Sequence, residues 1–255
     1  MNHRLLIFVP TYNESENISR LYAELKKLPF EADLLFLDDD SPDGTGNLMD
    51  ALASQDSRLS VIHRQGKQGI GSAHREGILW AESRDYDYLL TMDADFTHNP
   101  IDLPRLWAIH DQHDLVLASR YLQQGSLKGW NLLRRGLTTM GHLATKMLLG
   151  LSQDATGALR VYDLKRLGTR WLGRVESNGY GFFFESLFEI NQMRADIAEV
   201  PIKLPPRTYG HSKMNWNEVR KSLGMLFQLA LRRITGLKPQ LLTRRVPKSE
   251  FIGTR

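Results

Sequence analysis

Short apolar runs, each closed by polar or turn-forming residues, recur along the first half of the chain. Leu5 to Val9 reads as a buried strand stopped by Pro10. Asn13 and Glu16 stand at capping-box spacing, and Ile18, Leu21, Tyr22, Leu25 and Leu28 follow at helical period. Leu34 to Leu37 reads as a second strand that runs into Asp38, Asp39 and Asp40. Ser41-Pro42-Asp43-Gly44 is a turn signal, and a short helix follows with Leu48, Ala51 and Leu52 inward. Leu59 to Ile62 is the third strand, followed by a helix from near Ser72 to about Ser83. A strand at Tyr88 to Met92, a helix opening near Asp102 and a strand at Leu115 to Ala118 complete the alternation. Such alternation predicts parallel pairing in an α/β sandwich of the nucleotide-binding kind. Ligands in these folds sit at the carboxyl ends of the strands. The polar clusters at 10–14, 38–44 and 93–95 are therefore predicted to converge on one edge of the sheet.

After residue 121 the pattern changes. Leu133, Leu137, Met140, Ala144, Met147, Leu148 and Leu151 recur at spacings of three and four, with Trp130 at the start and Arg134, Arg135 and Lys146 around them. That predicts an amphipathic helix over 130–151. A second long helix is predicted from Asn215 to Ile234. Its ten central residues, Ser222 to Leu231, carry no charge and are flanked by Lys221, Arg232 and Arg233. Ten uncharged residues fall far short of the ~20 needed to cross a bilayer. Residues 238–255 read as an irregular basic tail. The division expected is a main body over 1–214 and a helix with a tail over 215–255.

Composition narrows the chemistry. The 255 residues fit one large α/β domain, or one domain with a small appendage, and 42% hydrophobic content is enough for a sizeable core. The chain has no cysteine, which excludes disulfides and a thiolate nucleophile. Met1-Asn2-His3-Arg4 leads straight into the first strand with no signal-peptide pattern, so a cytoplasmic location is expected. The net charge of +4 hides an asymmetry: residues 203–255 carry +10 and residues 1–202 carry −6. A basic end of this kind suits an anionic membrane surface, nucleic acid or an acidic partner. No aromatic–basic strand pair and no helix-turn-helix supports nucleic acid.

Asp93-Ala94-Asp95, directly after a buried strand, is the most informative feature. Two carboxylates there are costly unless a cation satisfies them, and a divalent metal carrying a phosphate is the simplest partner. Mg²⁺ or Mn²⁺ held by Asp93 and Asp95 would neutralise a diphosphate leaving group. Asp38, Asp39 and Asp40 repel one another, which raises the cost of an unliganded site. One of them suits a nucleobase imino or amino group, another ribose hydroxyls, while Asp43-Gly44-Thr45 makes capping chemistry. Gln68 to Ala73 holds two glycines before a helix and reads as a weak phosphate cradle. It lacks the dinucleotide fingerprint, and no Walker A loop exists, so NAD and ATP hydrolysis are poor fits. Arg207, His211 and Lys213 surround Gly210 in a Pro- and Gly-rich loop suited to closing over a phosphorylated ligand. Arg120, Arg134 and Arg135 add positive charge after the central sheet, and arginine's planar fork suits phosphate.

Together these strings resemble the dolichyl-phosphate mannose synthase family, a polyprenyl-phosphate branch of the family-2 inverting glycosyltransferases with a GT-A fold. The resemblance rests on Val9-Pro10-Thr11-Tyr12-Asn13-Glu14, on Asp38 to Thr45 and on Met92-Asp93-Ala94-Asp95. Ala118-Ser119-Arg120-Tyr121, Gly129-Trp130-Asn131 and Gly210-His211-Ser212-Lys213 preceded by Arg207 extend it in family order. It implies transfer of a sugar, usually mannose from GDP-mannose, to a polyprenyl phosphate. It also implies that Pro10, Tyr12, Glu14 and an acid of the Asp38–Asp39 pair contact the nucleoside. By the same resemblance Asp93, Ala94 and Asp95 form the diphosphate–metal site, and Arg120, Arg134, Arg207 and Lys213 meet the phosphates. Peripheral attachment to the cytoplasmic face of a membrane through amphipathic helices is implied as well. A membrane-protein partner or a homo-oligomer is a further expectation. The chain departs from the pattern at Ala155 to Arg160, at Phe183-Phe184 before Glu185, and at Thr97. These departures bear on the acceptor side and leave the sugar and lipid less defined than the reaction type.

The reaction expected is a single inverting displacement at the anomeric carbon by an acceptor phosphate oxygen. That oxygen is ionised near neutral pH and needs no strong base, and the sequence offers no convincing His–Asp pair to act as one. Two alternatives stay open: the same transfer from another donor such as UDP-glucose, and a non-catalytic membrane-associated scaffold. The helices at 130–151 and 215–234 serve either the core, a dimer partner or an acyl-chain interface.

Overall fold

The central apolar runs become strands buried on both faces, because helices cover the sheet from each side, whereas the run from Leu59 to Ile62 forms a half-buried strand at the sheet edge. The computed structural model describes residues 3–130, 132–205 and 216–236, with the backbone alone at 133, 134 and 216. Among these, the strands are β1 (Leu5–Thr11), β2 (Asp33–Asp38), β3 (Leu59–His63), β4 (Tyr88–Thr91), β5 (Leu115–Ser119), β6 (Arg160–Asp163) and β7 (Ile197–Pro201). The helices are α1 (Ser15–Leu25), α2 (Thr45–Ala53), α3 (Ile70–Ser83), α4 (Leu103–Trp107), α5 (Leu132–Ala144), α6 (Leu164–Leu167), α7 (Gly181–Gln192) and α8 (Trp216–Thr235). A π turn over Thr145–Leu149 extends α5, and 3₁₀ turns occupy Pro100–Asp102 and Arg170–Arg174.

The seven strands form one sheet in the order β3-β2-β1-β4-β6-β5-β7. β1 to β4 pair in parallel, as does β5 with β7, whereas β6 runs antiparallel between β4 and β5. The sheet is therefore mixed. The chain winds outward from β1 through β2 to β3, then returns through α3 to lay β4 on the other side of β1. That reversal makes a switch point between β1 and β4, where open α/β sheets bind ligands. Alternate residues of each strand face opposite cores. Leu6, Phe8, Leu35 and Leu89 pack beneath α3, α7 and α8, while Leu5, Ile7, Val9, Phe36 and Leu90 pack beneath α1, α2 and α4.

Local detail departs from expectation in several places. β1 does not stop at Pro10 but continues to Thr11. The carbonyl of Phe8 accepts from Met92 N at 3.1 Å, so Pro10, two residues on, faces that same side. The β4 ladder has ended there at Thr91, and no donor is required of the proline. The capping box at Asn13 does not form. Asn13 is left-handed (φ 54°), Glu14 is the N-cap, and Glu14 Oε2 accepts from Asn17 Nδ2 at 2.7 Å. In α2 the inward residues are Thr45 and Met49, and Leu48 and Ala51 face out. β6 and β7 are short and carry polar residues, which hid them from an apolar-run reading.

Candidate active site

The carboxyl ends of β2, β1 and β4 lie side by side and bring the first three polar clusters to one sheet edge. Asp38 ends β2 opposite Thr11 of β1 and is buried. Its Oδ2 accepts from Ser41 N at 3.0 Å, and its Oδ1 accepts from the Ser41 hydroxyl and, at 3.4 Å, from Thr11 Oγ1. One Asp38 side borders an open polar pocket of about 340 Å³ shared with Gly46, Asn47, Asp50 and His63. Asp39 is committed differently. Gln68 N donates to its Oδ1 at 2.8 Å, Gly69 N to its Oδ2 at 3.0 Å, and buried Arg64 reaches Oδ1 at 2.8 Å. Both Asp39 oxygens are thus engaged within the protein. Asp43 gathers Thr45 and Ser15 N–H groups, each at 3.1 Å, and links the starts of α1 and α2. Burial pushes its carboxyl up, and these hydrogen bonds outweigh burial and hold it below the usual carboxylate range.

From β1 come Pro10 and, after it, Tyr12 and Glu14. Lys67 Nζ lies 3.9 Å above the Tyr12 ring, a cation–π contact on a face broad enough for a base. Glu14 is buried, and its backbone N–H donates to Thr45 Oγ1 at 2.9 Å.

From the loop after β4 come Asp93, Ala94 and Asp95, which do not share one environment. Asp95 and Ala94 are buried, while the Asp93 side chain is one-third exposed (33%). Asp95 Oδ1 accepts from Thr97 N at 3.0 Å and Thr97 Oγ1 at 2.6 Å. Phe96, with φ 59°, turns the chain so that this closed loop can form. Asp93 N donates to His98 Nδ1 at 3.0 Å. Nδ1 therefore carries the lone pair, and the 3.6 Å approach of Asp93 Oδ2 to it is not an ion pair in this tautomer. Among the described residues no group of three or more His, Cys, Asp or Glu side chains is placed to hold a metal. Two carboxylates nevertheless suit Mg²⁺ or Mn²⁺ chemistry, in which one or two protein carboxylates share the ion with substrate phosphates and water.

Arg120 follows β5 and pairs with buried Asp154, its Nε donating to Oδ2 at 2.7 Å. The Arg134 side chain, Arg207, His211 and Lys213 lie outside the described residues. The structure overturns the reading of Gln68 to Ala73 as a phosphate cradle. The N–H groups of Gln68 and Gly69 serve Asp39, and those of Gly71 and Ser72 donate to Asn178 O at 2.8 and 3.2 Å. A Cβ on Gly71 would stand 2.7 Å from the carbonyls of Ser177 and Gly179. The glycines admit the 175–180 loop, not a phosphate.

Sequence reasoning gave no structural role to Arg64, Asp154, Arg160 and Glu185. Arg160 is fully buried and spends its guanidinium on Gly157 O (2.9 Å), Phe183 O (2.8 Å), Ser186 Oγ (3.0 Å) and Ala155 O (3.3 Å). Glu185 Oε1 and Oε2 accept from Glu176 N at 2.9 Å and Ser177 N at 2.8 Å, while burial pushes its carboxyl up. Arg64 alone had a legible signal, its place just past β3 at the same sheet edge. Two His–Asp pairs also escaped the sequence reading, His63–Asp50 at 2.8 Å and His113–Asp196 at 2.9 Å. The second precedes β5 and β7 and so lies at the opposite edge of the sheet.

Residues 6–170 match the model of glycosyl transferase family 2. Undecaprenyl-phosphate mannosyltransferase of Micrococcus luteus is 38% identical over 213 residues, covering 83% of this chain and 88% of that protein. Polyprenol monophosphomannose synthase of Mycolicibacterium smegmatis is 34% identical over 232 residues, covering 90% of this chain and 88% of that protein. Among solved structures, mannosyl-3-phosphoglycerate synthase from Rubrobacter xylanophilus has TM-score 0.58 at 18% identity, covering 98% of this chain and 80% of that one. A mannosyltransferase from Pyrobaculum calidifontis in complex with GDP-Man and Mn²⁺ has TM-score 0.56 at 15% identity, covering 93% and 66%. The structural likeness carries the fold, a GT-A-like mixed sheet flanked by helices.

Proposed function

The chain belongs to glycosyl transferase family 2, and from this premise we propose that it transfers mannose from GDP-mannose to a polyprenyl phosphate with inversion. The observation that carries this reading is that Asp38 and Asp39 at the end of β2 and Asp93 and Asp95 after β4 stand at the same carboxyl edge, on the two parallel strands that flank β1. Two relatives that share most of the chain bear names of polyprenyl-phosphate mannosyl transfer. An acceptor phosphate oxygen attacks the anomeric carbon, the bond to the donor diphosphate breaks, and the nucleoside diphosphate leaves. The acceptor brings its own ionised oxygen, so no protein base is needed. Tyr12 and Asp38 flank the nucleoside, with Pro10, Glu14 and Asp39 shaping the walls. Asp93 and Asp95 would hold a divalent ion, which would supply charge neutralisation for the departing diphosphate. Arg120 orients the acceptor phosphate. Arg134, Arg207 and Lys213 take their phosphate-contacting roles from the family pattern.

The exposed apolar faces of α5 and α8 support a membrane surface as the place where the lipid acceptor is met. No helix among the described residues is long and apolar enough to cross a membrane.

The test is transfer from a panel of labelled GDP- and UDP-sugars to a short polyprenyl phosphate with Mn²⁺. GDP-mannose should be the preferred donor. Asp95→Ala should lower metal-dependent transfer by about 10²-fold or more, in keeping with loss of leaving-group stabilisation, without unfolding the protein. Full activity in that variant, or preference for a UDP-sugar, would refute the corresponding part of the reading.

A further inference from the structure

We infer that Asp154 is a positioning residue that aims the Arg120 guanidinium at the acceptor phosphate; this rests on the polyprenyl-phosphate reading above. Asp154 Oδ2 accepts from both Arg120 N (3.1 Å) and Arg120 Nε (2.7 Å). One carboxylate oxygen thereby fixes the backbone and the base of the guanidinium together. Asp154 is itself buried and hydrogen-bonded through both carboxylate oxygens and its backbone N–H. It is 1% exposed, its Oδ1 accepts from Thr156 N and Oγ1, each at 3.3 Å, and its N–H donates to Glu199 Oε1 at 2.8 Å. Glu199 sits on β7, in register with Leu117 of β5, the strand that delivers Arg120.

The surrounding loop closes on the same group. A Cβ on Gly157 would meet Ala118 O at 3.3 Å and Arg120 Nη2 at 3.6 Å. Fully buried Arg160 ties Gly157 O and Ala155 O to Phe183 and Ser186 of α7. The Ser126 hydroxyl donates to Arg120 O. Arg120 is therefore gripped at its N–H, its carbonyl and its Nε.

A buried carboxylate–arginine pair is not in itself a source of stability, since desolvation offsets the attraction. Its geometry gives it a different use. Asp154 takes only the Nε edge of the guanidinium, and the two terminal nitrogens are the part of the fork that pairs with a phosphate. Holding Nε in a buried mount sets the plane and reach of those nitrogens before the acceptor arrives. A residue that only stapled β5 to the 154–160 loop would need no bond to Nε.

The experiment is steady-state kinetics of the full chain with GDP-mannose, Mn²⁺ and a short polyprenyl phosphate, for wild type, Asp154→Asn, Arg120→Ala and the double variant, with unfolding midpoints alongside. Asp154→Asn should raise the acceptor KM about ten-fold and leave the donor KM within about two-fold. The double variant should be no worse than Arg120→Ala, because both act through one group. If Arg120→Ala raises the acceptor KM and Asp154→Asn does not, the inference fails while the site reading stands. If Arg120→Ala leaves the acceptor KM unchanged, both fail. A parallel rise in both KM values with a lower midpoint marks a structural staple and overturns the inference. Should Asp154→Asn not fold, Thr156→Val carries the test, with about a three-fold rise in acceptor KM expected and no rise overturning it.

Discussion

His74, on α3, is fully buried among Phe8, Phe182 and Phe183, and neither ring nitrogen has a hydrogen-bond partner. Burial first, then the charge of Arg160 and the neighbouring His98, push its pKa down to about 3. The folded protein therefore refuses a proton that the unfolded chain accepts near pH 6.5. Stability is fully present above that value and falls as pH drops toward 3, at up to about 1.4 kcal/mol per pH unit from this residue. Replacing His74 with Leu should flatten the dependence of the urea midpoint between pH 7.5 and pH 5. An unchanged slope would move the acid sensitivity to other groups. Arg160 is the contrast: equally buried, it is bonded to four neighbours, so its charge is accommodated where the imidazole's would not be.

At the scale of elements, long-range contacts decide what a local motif is for. The glycines before α3 read as a ligand cradle, yet they receive the loop that leads into α7. Gly71→Ala should cost about 1–3 kcal/mol in chemical denaturation, because its Cβ meets two backbone carbonyls and Phe182 Cβ, none of which can swing aside. A neutral Gly71→Ala would mean that the loop packs loosely there. α8 is apolar around most of its circumference because it serves two surfaces. Leu226, Leu229 and Ala230 are buried in the core beside α7, while Leu223, Phe227, Leu231 and Ile234 face out. Buried Glu189 of α7 accepts from Arg232 Nη2 at 2.6 Å and holds α8 in place. Arg233 Nη1 donates to Met147 O (3.3 Å) and Leu148 O (3.1 Å), capping the π turn after α5. Gly150, with φ 72°, leaves room for that guanidinium.

For the whole molecule, α5 and α8 join through this cap and expose Leu137, Met140, Leu143, Met147 and Phe227 among others. Arg135, Lys146, Arg220 and Lys221 stand on the same helices. Large apolar side chains exposed on adjoining helices mark an interaction face. Lipid vesicles containing anionic lipid should bind the protein, more weakly at high salt because exposed charges are screened. Leu137→Glu together with Phe227→Glu should weaken vesicle sedimentation by about ten-fold or more while the fold is retained. Unchanged sedimentation would assign these faces to a protein partner.

The sequence alone determined the strand–helix alternation, the buried character of β1, β2, β4 and β5, and the edge at which Asp38, Asp39, Asp93 and Asp95 gather. Those follow from periodicity and from the rule that polar residues after buried strands share the carboxyl edge. Only the tertiary structure decided that β6 runs antiparallel, that the 68–73 loop serves Asp39 and Asn178, and that Arg120 has a buried partner 34 residues away. Each of these depends on which distant backbone or charge arrives opposite a residue. Spacing along the chain carries no record of that, because burial energy and hydrogen bonds are satisfied across elements as readily as within them.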